Sequence, residues 1–270
     1  MRRSWLFVPG ADEAAHAAAA RSGADVVVLE LEDFTPPQLR PRARSIAARA
    51  FDAWRAAGAL AAVRVNPLEG DGHADLRGVL GARPDIVMMS KVDSPEQVRA
   101  LEAAVPGAAE LVPNIESARG LLRAADIAAA SRRVTAMLVA SEDMVADLGT
   151  ERSSGGEELA YVRARFLVEC RAAGVEAIDC PYTFSDAKGA AADARTAKRF
   201  GYRMKSLVDP SHARAINKVF TPDLAKARKI VAAFEKARAQ GKDRAKVDGA
   251  LVEVPIYAAA KRLLASAGHS

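Results

Sequence analysis

Eight short runs of apolar and β-branched residues, spaced along the first 210 residues, are the feature that most constrains the fold. The segments between them are rich in Ala, Arg and Glu and carry apolar residues at helical spacing, as in ADEAAHAAAARSG and YVRARFLVECRAAG. Strands that alternate with helices in this way predict a parallel sheet covered by helices. The eight runs are SWLFVP (4–9), DVVVLELED (25–33), AAVRVNP (61–67), DIVMMSKV (85–92), ELVPNIES (110–117), TAMLVASED (135–143), EAIDCPY (176–182) and MKSLVDP (204–210).

Eight such strands without a linker-like stretch predict an α/β fold of the (β/α)₈ TIM-barrel type. We expect the barrel to form a catalytic domain over residues 1–220, followed by a C-terminal helical extension over residues 221–270 that packs on a neighbouring subunit. An open doubly wound sheet is the main alternative. The GxGxxG fingerprint of its dinucleotide-binding form does not follow the first strand, so the barrel is favoured.

Nearly every predicted strand ends in a polar or charged residue. In a barrel the carboxyl ends of all strands meet at one rim, where active sites are built. The second strand ends in three acids, and alternation predicts Glu30 and Glu32 on one face and Asp33 on the other. Because clustered carboxylates repel one another, this strand either leaves the core at a solvated edge or contributes to a cation site. Arg64 and Lys91, from the next two strands, are predicted to lie beside these acids.

Composition and charge exclude several classes of function. The formal charge of +5 is modest, and Lys and Arg are spread along helical stretches, so we expect no nucleic-acid partner. No apolar run approaches the roughly 20 residues that span a bilayer, and the apolar stretch after Arg2 and Arg3 is too short for a secretory or twin-arginine signal. Cys170 and Cys180 lack a CxxC spacing and suit a reducing compartment. We therefore expect a cytoplasmic protein that binds no membrane.

Eight stretches between about Ser4 and Pro255 resemble, in order and spacing, the citrate lyase β-subunit-like enzymes of the HpcH/HpaI aldolase/citrate lyase superfamily, relatives of malyl- and citramalyl-CoA lyases. They are SWLFVPG, GADVVVLELEDF, VRVNP, SKVDSPEQV, VPNIESARGLLRAADIA, ASEDMVADLG, INKVFTP and VDGALVEVP. The resemblance implies a (β/α)₈ barrel that cleaves 3-hydroxyacyl thioesters to an acetyl thioester and an oxoacid, or runs the reverse condensation. It also implies a divalent ion, usually Mg²⁺ with Mn²⁺ as an alternative, and a homo-oligomer, either a trimer or a hexamer.

The resemblance assigns Glu116 and Asp143, which follow the fifth and sixth strands, as the metal ligands. Two carboxylates completed by waters and substrate oxygens form the oxygen-only ligand set that Mg²⁺ prefers, and the few scattered histidines and cysteines offer no zinc-type cluster. Glu32 and Asp33 would then hold the waters of the metal. The alternative is that Glu116 caps the following helix and Asp143 pairs with an arginine.

Two further residues, Arg64 and Glu253, receive roles through the same resemblance, and Lys91 is a candidate from its position. Arg64 binds the carboxylate of the oxoacid, because a guanidinium can hold a carboxylate with two parallel hydrogen bonds; a salt bridge to the acids of the second strand is also compatible with this role. Lys91 is a candidate for substrate binding because of its place at the rim; the family uses no Schiff-base lysine, and a structural ion pair is the favoured alternative. Glu253 in VDGALVEVP reaches the site of a neighbouring subunit and acts in acid–base catalysis on the acetyl methyl group, or it is simply a solvated acid.

The sequence departs from the family pattern at several positions. Glu30 replaces the first Asp of the usual Asp-Leu-Glu-Asp, and Glu253 stands where Asp is usual. Ala14 and Ala18 occupy the places of an arginine and a lysine associated with coenzyme A. Arg2, Arg3 and Lys205 are the residues that could compensate for the two missing cations.

We interpret the chain as a Mg²⁺-dependent carbon–carbon lyase acting on a 3-hydroxyacyl thioester such as citramalyl-, malyl- or citryl-CoA. An acyl-CoA thioester hydrolase is the first alternative, because the same metal and enolate chemistry can precede hydrolysis. A metal-dependent aldolase acting on a free hydroxy-oxoacid is the second, and the two missing coenzyme A cations keep it open. The third is a non-catalytic accessory subunit, against which the joint presence of Glu116, Asp143 and Arg64 argues.

Overall fold

Eight parallel strands close into a barrel in sequence order, with the first strand hydrogen-bonded to both the second and the eighth. The computed structural model describes residues 1–267. The strands are β1 (Ser4–Pro9), β2 (Val26–Glu30), β3 (Leu60–Val65), β4 (Ile86–Met89), β5 (Glu110–Ile115), β6 (Ala136–Val139), β7 (Glu176–Asp179) and β8 (Met204–Leu207). Seven lie within the predicted runs and β3 begins one residue before its run, so the predicted (β/α)₈ barrel is confirmed.

Helices follow the strands around the outside of the barrel. They are α1 (Glu13–Ser22), α2 (Arg40–Ala56), α3 (His73–Val79), α4 (Pro95–Ala104), α5 (Ala118–Leu122), α6 (Ala124–Ala129), α7 (Glu142–Asp147), α8 (Ala160–Ala173), α9 (Ala187–Phe200) and α10 (Ala213–Phe220). Several begin at a side chain that accepts hydrogen bonds from the first backbone N–H groups, as Asp12 does for α1 and Ser94 for α4. These caps fix the points at which the loops at the barrel rim end.

Alternation along the strands divides the apolar core into two layers. One set of side chains fills the barrel interior, including Trp5, Val28, Met88 and Leu138. The other set, from the opposite faces of the same strands, packs against the helices. A residue on the interior face near the carboxyl end of a strand therefore points into the space below the rim.

The strand register places the charged end of β2 beside that of β3. Glu30 is the register neighbour of Arg64. Both lie two residues beyond interior apolar positions, Val28 and Ala62, so both side chains point into the barrel. A carboxylate and a guanidinium thus meet inside the barrel, immediately below the rim.

A second buried ion cluster lies between the barrel and its helices. Lys205 Nζ lies 2.6 Å from Asp179 and 2.5 Å from Asp193, and Arg163 pairs with both acids at 2.8 Å. Lys205 also donates to the carbonyl of Cys180 at 2.5 Å. Two cations and two acids neutralise one another in this layer, which is what makes their burial tolerable.

Residues 221–267 form a second compact unit together with Met1, whereas residues 2–220 form the barrel unit. The second unit contains α11 (Leu224–Ala239), a hairpin of β9 (Ala245–Val247) and β10 (Ala250–Val252), and α12 (Val254–Ala267). Its own small core is formed by Phe234, Val247 and Val252. Glu253 follows β10 with an exposed side chain, beside the exposed Val254. No helix within residues 1–267 combines the length and the apolar character needed to cross a membrane.

Candidate active site

A cavity of about 570 Å³ opens at the carboxyl ends of the barrel strands. One part of its wall is apolar, and another part carries acidic side chains and the guanidinium group of Arg64. The lining residues are Phe7, Asp33, Phe34, Arg64, Leu138, Ala140, Ser141, Glu142, Asp143, Ala146, Pro181, Thr183, Ser206 and Val208.

Arg64 is the centre of the charged part. Its Nε lies 2.9 Å from Glu30, and its two Nη atoms lie 3.2 Å from Glu32, 3.5 Å from Asp33 and 3.6 Å from Glu116. Burial lowers the pKa of Arg64, but these carboxylates more than offset that effect and raise the pKa above its ordinary value. The guanidinium is therefore permanently charged, and acids from two strand ends share it.

Glu30 explains why the acids of β2 converge on one arginine. Its carboxylate accepts hydrogen bonds from the backbone N–H groups of Glu32 and Phe34, both at 2.6 Å, and so bends the chain immediately after the strand. Because the strand ends at Glu30, alternation no longer applies at Asp33. The expectation that Asp33 faces away from Glu30 and Glu32 is wrong: all three contact Arg64.

Glu116 carries the most perturbed carboxyl group of the site. It follows β5 directly, its side chain is buried, and neither carboxylate oxygen has a hydrogen-bond partner among the described residues. Burial raises its pKa to about 8; Arg64 lowers the pKa, while the charges of Glu32 and Asp143 raise it. A buried carboxylate without a donor is costly, which suggests a function other than stability.

The donor set fits a hard divalent cation. Both oxygens of Glu116 and one oxygen of Glu32 are buried without hydrogen-bond partners within residues 1–267. Asp143, in the first turn of α7, lines the cavity and is near enough to Glu116 to perturb its pKa. No three His, Cys, Asp or Glu side chains in the described chain are arranged to ligate one ion together. Two carboxylates with open coordination positions are how Mg²⁺ is commonly bound.

Lys91 lies beside the same acids with an unusual backbone. Its ammonium group pairs with Glu32 and lies 4.0 Å from Asp33. The hydrogen bond to Glu32 raises the pKa of Lys91, so the group stays protonated. Its φ of 54° lies in the left-handed region that lysine rarely adopts. Backbone strain of this kind collects at functional sites.

Asn114 is a polar residue of the site that we did not identify from the sequence. It is fully buried, and its amide oxygen and nitrogen both lack a partner within the described residues. It lies two residues before Glu116, so alternation directs it to the same interior face. The spacing of two residues between Asn114 and Glu116 is the sequence feature that could have identified Asn114.

The residues expected to replace the missing coenzyme A cations do not lie near this site. Arg2 and Arg3 pair with Glu110 and Asp25 at the amino ends of the strands, on the opposite side of the barrel. Lys205 is fully buried beneath the helices. All three are therefore excluded from that role.

Ala14 instead lines a groove of about 420 Å³ between α1, the residues that follow β2, and α2. Arg42 of α2 lies on the same groove and pairs with Glu13 at 3.2 Å. A guanidinium is thus present at the groove, although it comes from the second helix and not from the first.

Comparison with known proteins decides the family. The family model described as HpcH/HpaI aldolase/citrate lyase matches residues 3–210. The chain belongs to the HpcH/HpaI aldolase/citrate lyase family. The citrate lyase subunit beta of Haemophilus influenzae is 32% identical over 279 residues, which cover 98% of this chain and 96% of that protein. The resemblance stated from the sequence is thereby confirmed.

Two further members differ in what their names record. The (3S)-malyl-CoA thioesterase of Cereibacter sphaeroides is 31% identical over 98% of this chain and 94% of its own length. The solved structure of CitE from Mycobacterium tuberculosis in complex with magnesium, acetoacetate and coenzyme A has a TM-score of 0.79 at 29% identity and covers 98% of both chains. The family therefore contains both a lyase subunit and a thioesterase on this fold.

Proposed function

We propose that this member of the family is a Mg²⁺-dependent carbon–carbon lyase that cleaves a 3-hydroxyacyl-CoA to acetyl-CoA and an oxoacid. The observation that carries the proposal is the arrangement of Arg64 beside Glu116, whose carboxylate oxygens are buried without hydrogen-bond partners. A bidentate cation suits the oxoacid carboxylate, and an unsatisfied carboxylate suits a metal. The magnesium and coenzyme A in the solved CitE relative support the same assignment.

Glu116 and Asp143 would hold the ion. An ion held there would act as a Lewis acid on the hydroxyl and carboxylate oxygens of the substrate and would favour loss of the hydroxyl proton. Glu32 keeps its orientation through Lys91 and Arg64, so it would support the ion from beside Glu116. Mn²⁺ has a compatible oxygen-ligand preference.

The side chains of the chain itself supply the proton transfers. Arg64 holds the carboxylate on the carbon that bears the hydroxyl group. Asp33, which lies in the turn after β2 and lines the cavity, accepts the hydroxyl proton. The electron pair of the broken carbon–carbon bond passes to the thioester as an enolate, and Glu253 of a neighbouring subunit protonates its terminal carbon.

Thioester hydrolysis is the second candidate, and the malyl-CoA thioesterase relative is the observation that favours it. The two reactions are separated by incubating citramalyl-, malyl- and citryl-CoA with the protein, with Mg²⁺ or with EDTA. A lyase releases an oxoacid that phenylhydrazine traps, whereas a hydrolase releases free thiol and an intact hydroxyacid. We expect hydrazone formation with Mg²⁺ only; free thiol without hydrazone would replace the lyase by the hydrolase, and turnover of no thioester would contradict both.

Arg42 is proposed as a contact for the phosphates of coenzyme A. It lies on the same groove as Ala14, which stands where the family has a cationic residue. Arg42→Ala should raise KM for an acyl-CoA by roughly 5- to 10-fold, as expected for a lost charged contact. KM for the matching N-acetylcysteamine thioester, which lacks the phosphates, should not change. Arg99→Ala, an exposed arginine on α4, is the control. An equal rise for both thioesters would exclude a phosphate contact.

Subunit sharing is proposed for Glu253, because its side chain is exposed and its neighbours Leu251, Val254 and Ile256 are exposed apolar residues suited to a protein contact. Inactive Glu253→Ala subunits mixed with inactive Asp143→Asn subunits, after unfolding and refolding together, should recover measurable turnover. Each mixed interface then pairs an intact metal site with an intact Glu253. Failure to recover activity, or a fully active monomer in place of the expected trimer or hexamer, would contradict a shared site.

A further inference from the structure

Acids outnumber cations around the cavity, even though Lys91 lies 4.0 Å from Asp33 and Arg152 lies 3.4 Å from Glu142. Among the described residues that line it, Arg64 is the single cationic side chain, and it already faces four carboxylates. The cavity wall itself carries three acids, Asp33, Glu142 and Asp143. A bound divalent ion with one substrate carboxylate would reduce this excess negative charge, and each additional carboxylate would increase it.

The hydroxyl groups of the wall are already engaged. Thr183 donates to Glu142 at 2.9 Å and Ser141 donates to the same carboxylate at 3.3 Å. Ser206 donates to the carbonyl of Asp179 at 2.8 Å. A second carboxylate on the substrate could accept a hydrogen bond from one of these hydroxyl groups only if an existing bond were broken. Burying it without one is unfavourable.

The remainder of the wall is apolar. Leu138 and Ala140 in it belong to the interior layer of the barrel. Its residues are Phe7, Phe34, Leu138, Ala140, Ala146, Pro181 and Val208. Such a surface accepts hydrogen or a small alkyl group on the carbon that bears the hydroxyl, and it rejects a charged arm.

We infer that the oxoacid released here carries a single carboxylate, as pyruvate and glyoxylate do, and that dicarboxylic oxoacids such as oxaloacetate are excluded. The substrate class is therefore a 3-hydroxyacyl thioester with one free carboxylate, and its remaining substituent on the hydroxyl-bearing carbon is hydrogen or a small alkyl group. This inference rests on the proposed function, because it uses the same cavity and the same role of Arg64.

The test measures binding and does not require turnover. Calorimetric titration of the full-length protein in Mg²⁺ buffer with pyruvate, glyoxylate and freshly prepared oxaloacetate gives three Kd values. We expect at least one of the two monocarboxylates to bind on the order of 100-fold more tightly than oxaloacetate, because a like charge buried against acids is strongly disfavoured. Oxaloacetate binding as tightly as either monocarboxylate would overturn the inference, and so would binding of none of the three.

Two variants of Thr183 test whether charge causes the preference for monocarboxylates. Thr183→Lys adds a cation to the wall, and Thr183→Gln adds similar length without charge. The lysine variant should reduce the preference for monocarboxylates by at least about 10-fold, and the glutamine variant should leave it unchanged. An equal loss in both variants would overturn the electrostatic explanation.

The thioester assay separates this inference from the proposed function. Cleavage of citryl-CoA in preference to malyl- and citramalyl-CoA would overturn the inference and keep the lyase assignment. Monocarboxylate-selective binding without cleavage of any thioester would support the inference about the cavity and contradict the lyase assignment.

Discussion

Glu116→Gln is expected to lower Mg²⁺-dependent turnover by at least roughly 10³-fold, because a neutral amide is a poor ligand for a hard cation and the developing charge loses its Lewis acid. The same change should raise the melting temperature of the metal-free protein. It removes a buried carboxylate whose pKa is raised to about 8 and whose oxygens have no hydrogen-bond partners among the described residues. The gain should be on the order of 1–2 kcal/mol, or roughly 2–8 °C for a chain of this size.

The matched control is Glu110→Gln at the opposite end of the same strand. Glu110 pairs with Arg2 at 2.5 Å, remote from the cavity rim. It should leave turnover within about threefold of the wild type, since it makes no contact with the site. A Glu116→Gln protein that keeps its metal-dependent activity would contradict the assignment of Glu116 as a metal ligand. A variant that loses stability together with activity would contradict the statement that the buried carboxylate lowers the free energy of unfolding.

The barrel and most of the charge cluster could be predicted from the sequence, because both depend on local patterns. Eight apolar runs with polar ends specify a parallel barrel, and convergence of its strand ends brings the acids of β2 towards Arg64 and Glu116. The direction of Asp33 could not be obtained this way. It depends on where β2 ends, and the hydrogen bonds that Glu30 accepts from the following turn determine that point.

Residues whose environment depends on packing between elements were harder to predict. The sequence suggests Lys205 as a replacement for a missing coenzyme A cation, yet it is buried beneath the helices with Asp179, Asp193 and Arg163. A helix and a neighbouring strand supply its partners, so only the assembled layers reveal them. The same holds for Asn114. Its inward direction follows from strand alternation, but the lack of a hydrogen-bond partner for its side chain within the described residues is a property of the packed barrel.

Arg64→Lys should reduce kcat/KM by roughly 10²- to 10³-fold although the charge is kept. Arg64 contacts several acids at once through all three nitrogens of its planar guanidinium, and its N–H groups must also hold a substrate carboxylate. A single ammonium group cannot make those contacts together. The lysine variant should fold, because the acids of the cluster keep a cation among them.

The control for this prediction is Arg55→Lys, on the outer helix α2. Arg55 pairs with Asp85 at 3.2 Å and makes no contact with the cavity lining that the structure describes. Activity within about threefold of the wild type is expected for it. If Arg64→Lys also retained activity in that range, the role of Arg64 as the clamp for the oxoacid carboxylate would have to be abandoned.

Isotope labelling distinguishes cleavage of the carbon–carbon bond from cleavage of the thioester bond. Citramalyl-CoA labelled with ¹³C in the two carbons that become the acetyl group is incubated with the protein and Mg²⁺, and the products are identified by mass spectrometry. If the protein is a lyase, all of the label should leave in acetyl-CoA, the pyruvate should be unlabelled, and EDTA should stop the formation of both. Label recovered in free citramalate together with unacylated coenzyme A would show that the thioester bond was broken instead, and would contradict the lyase assignment.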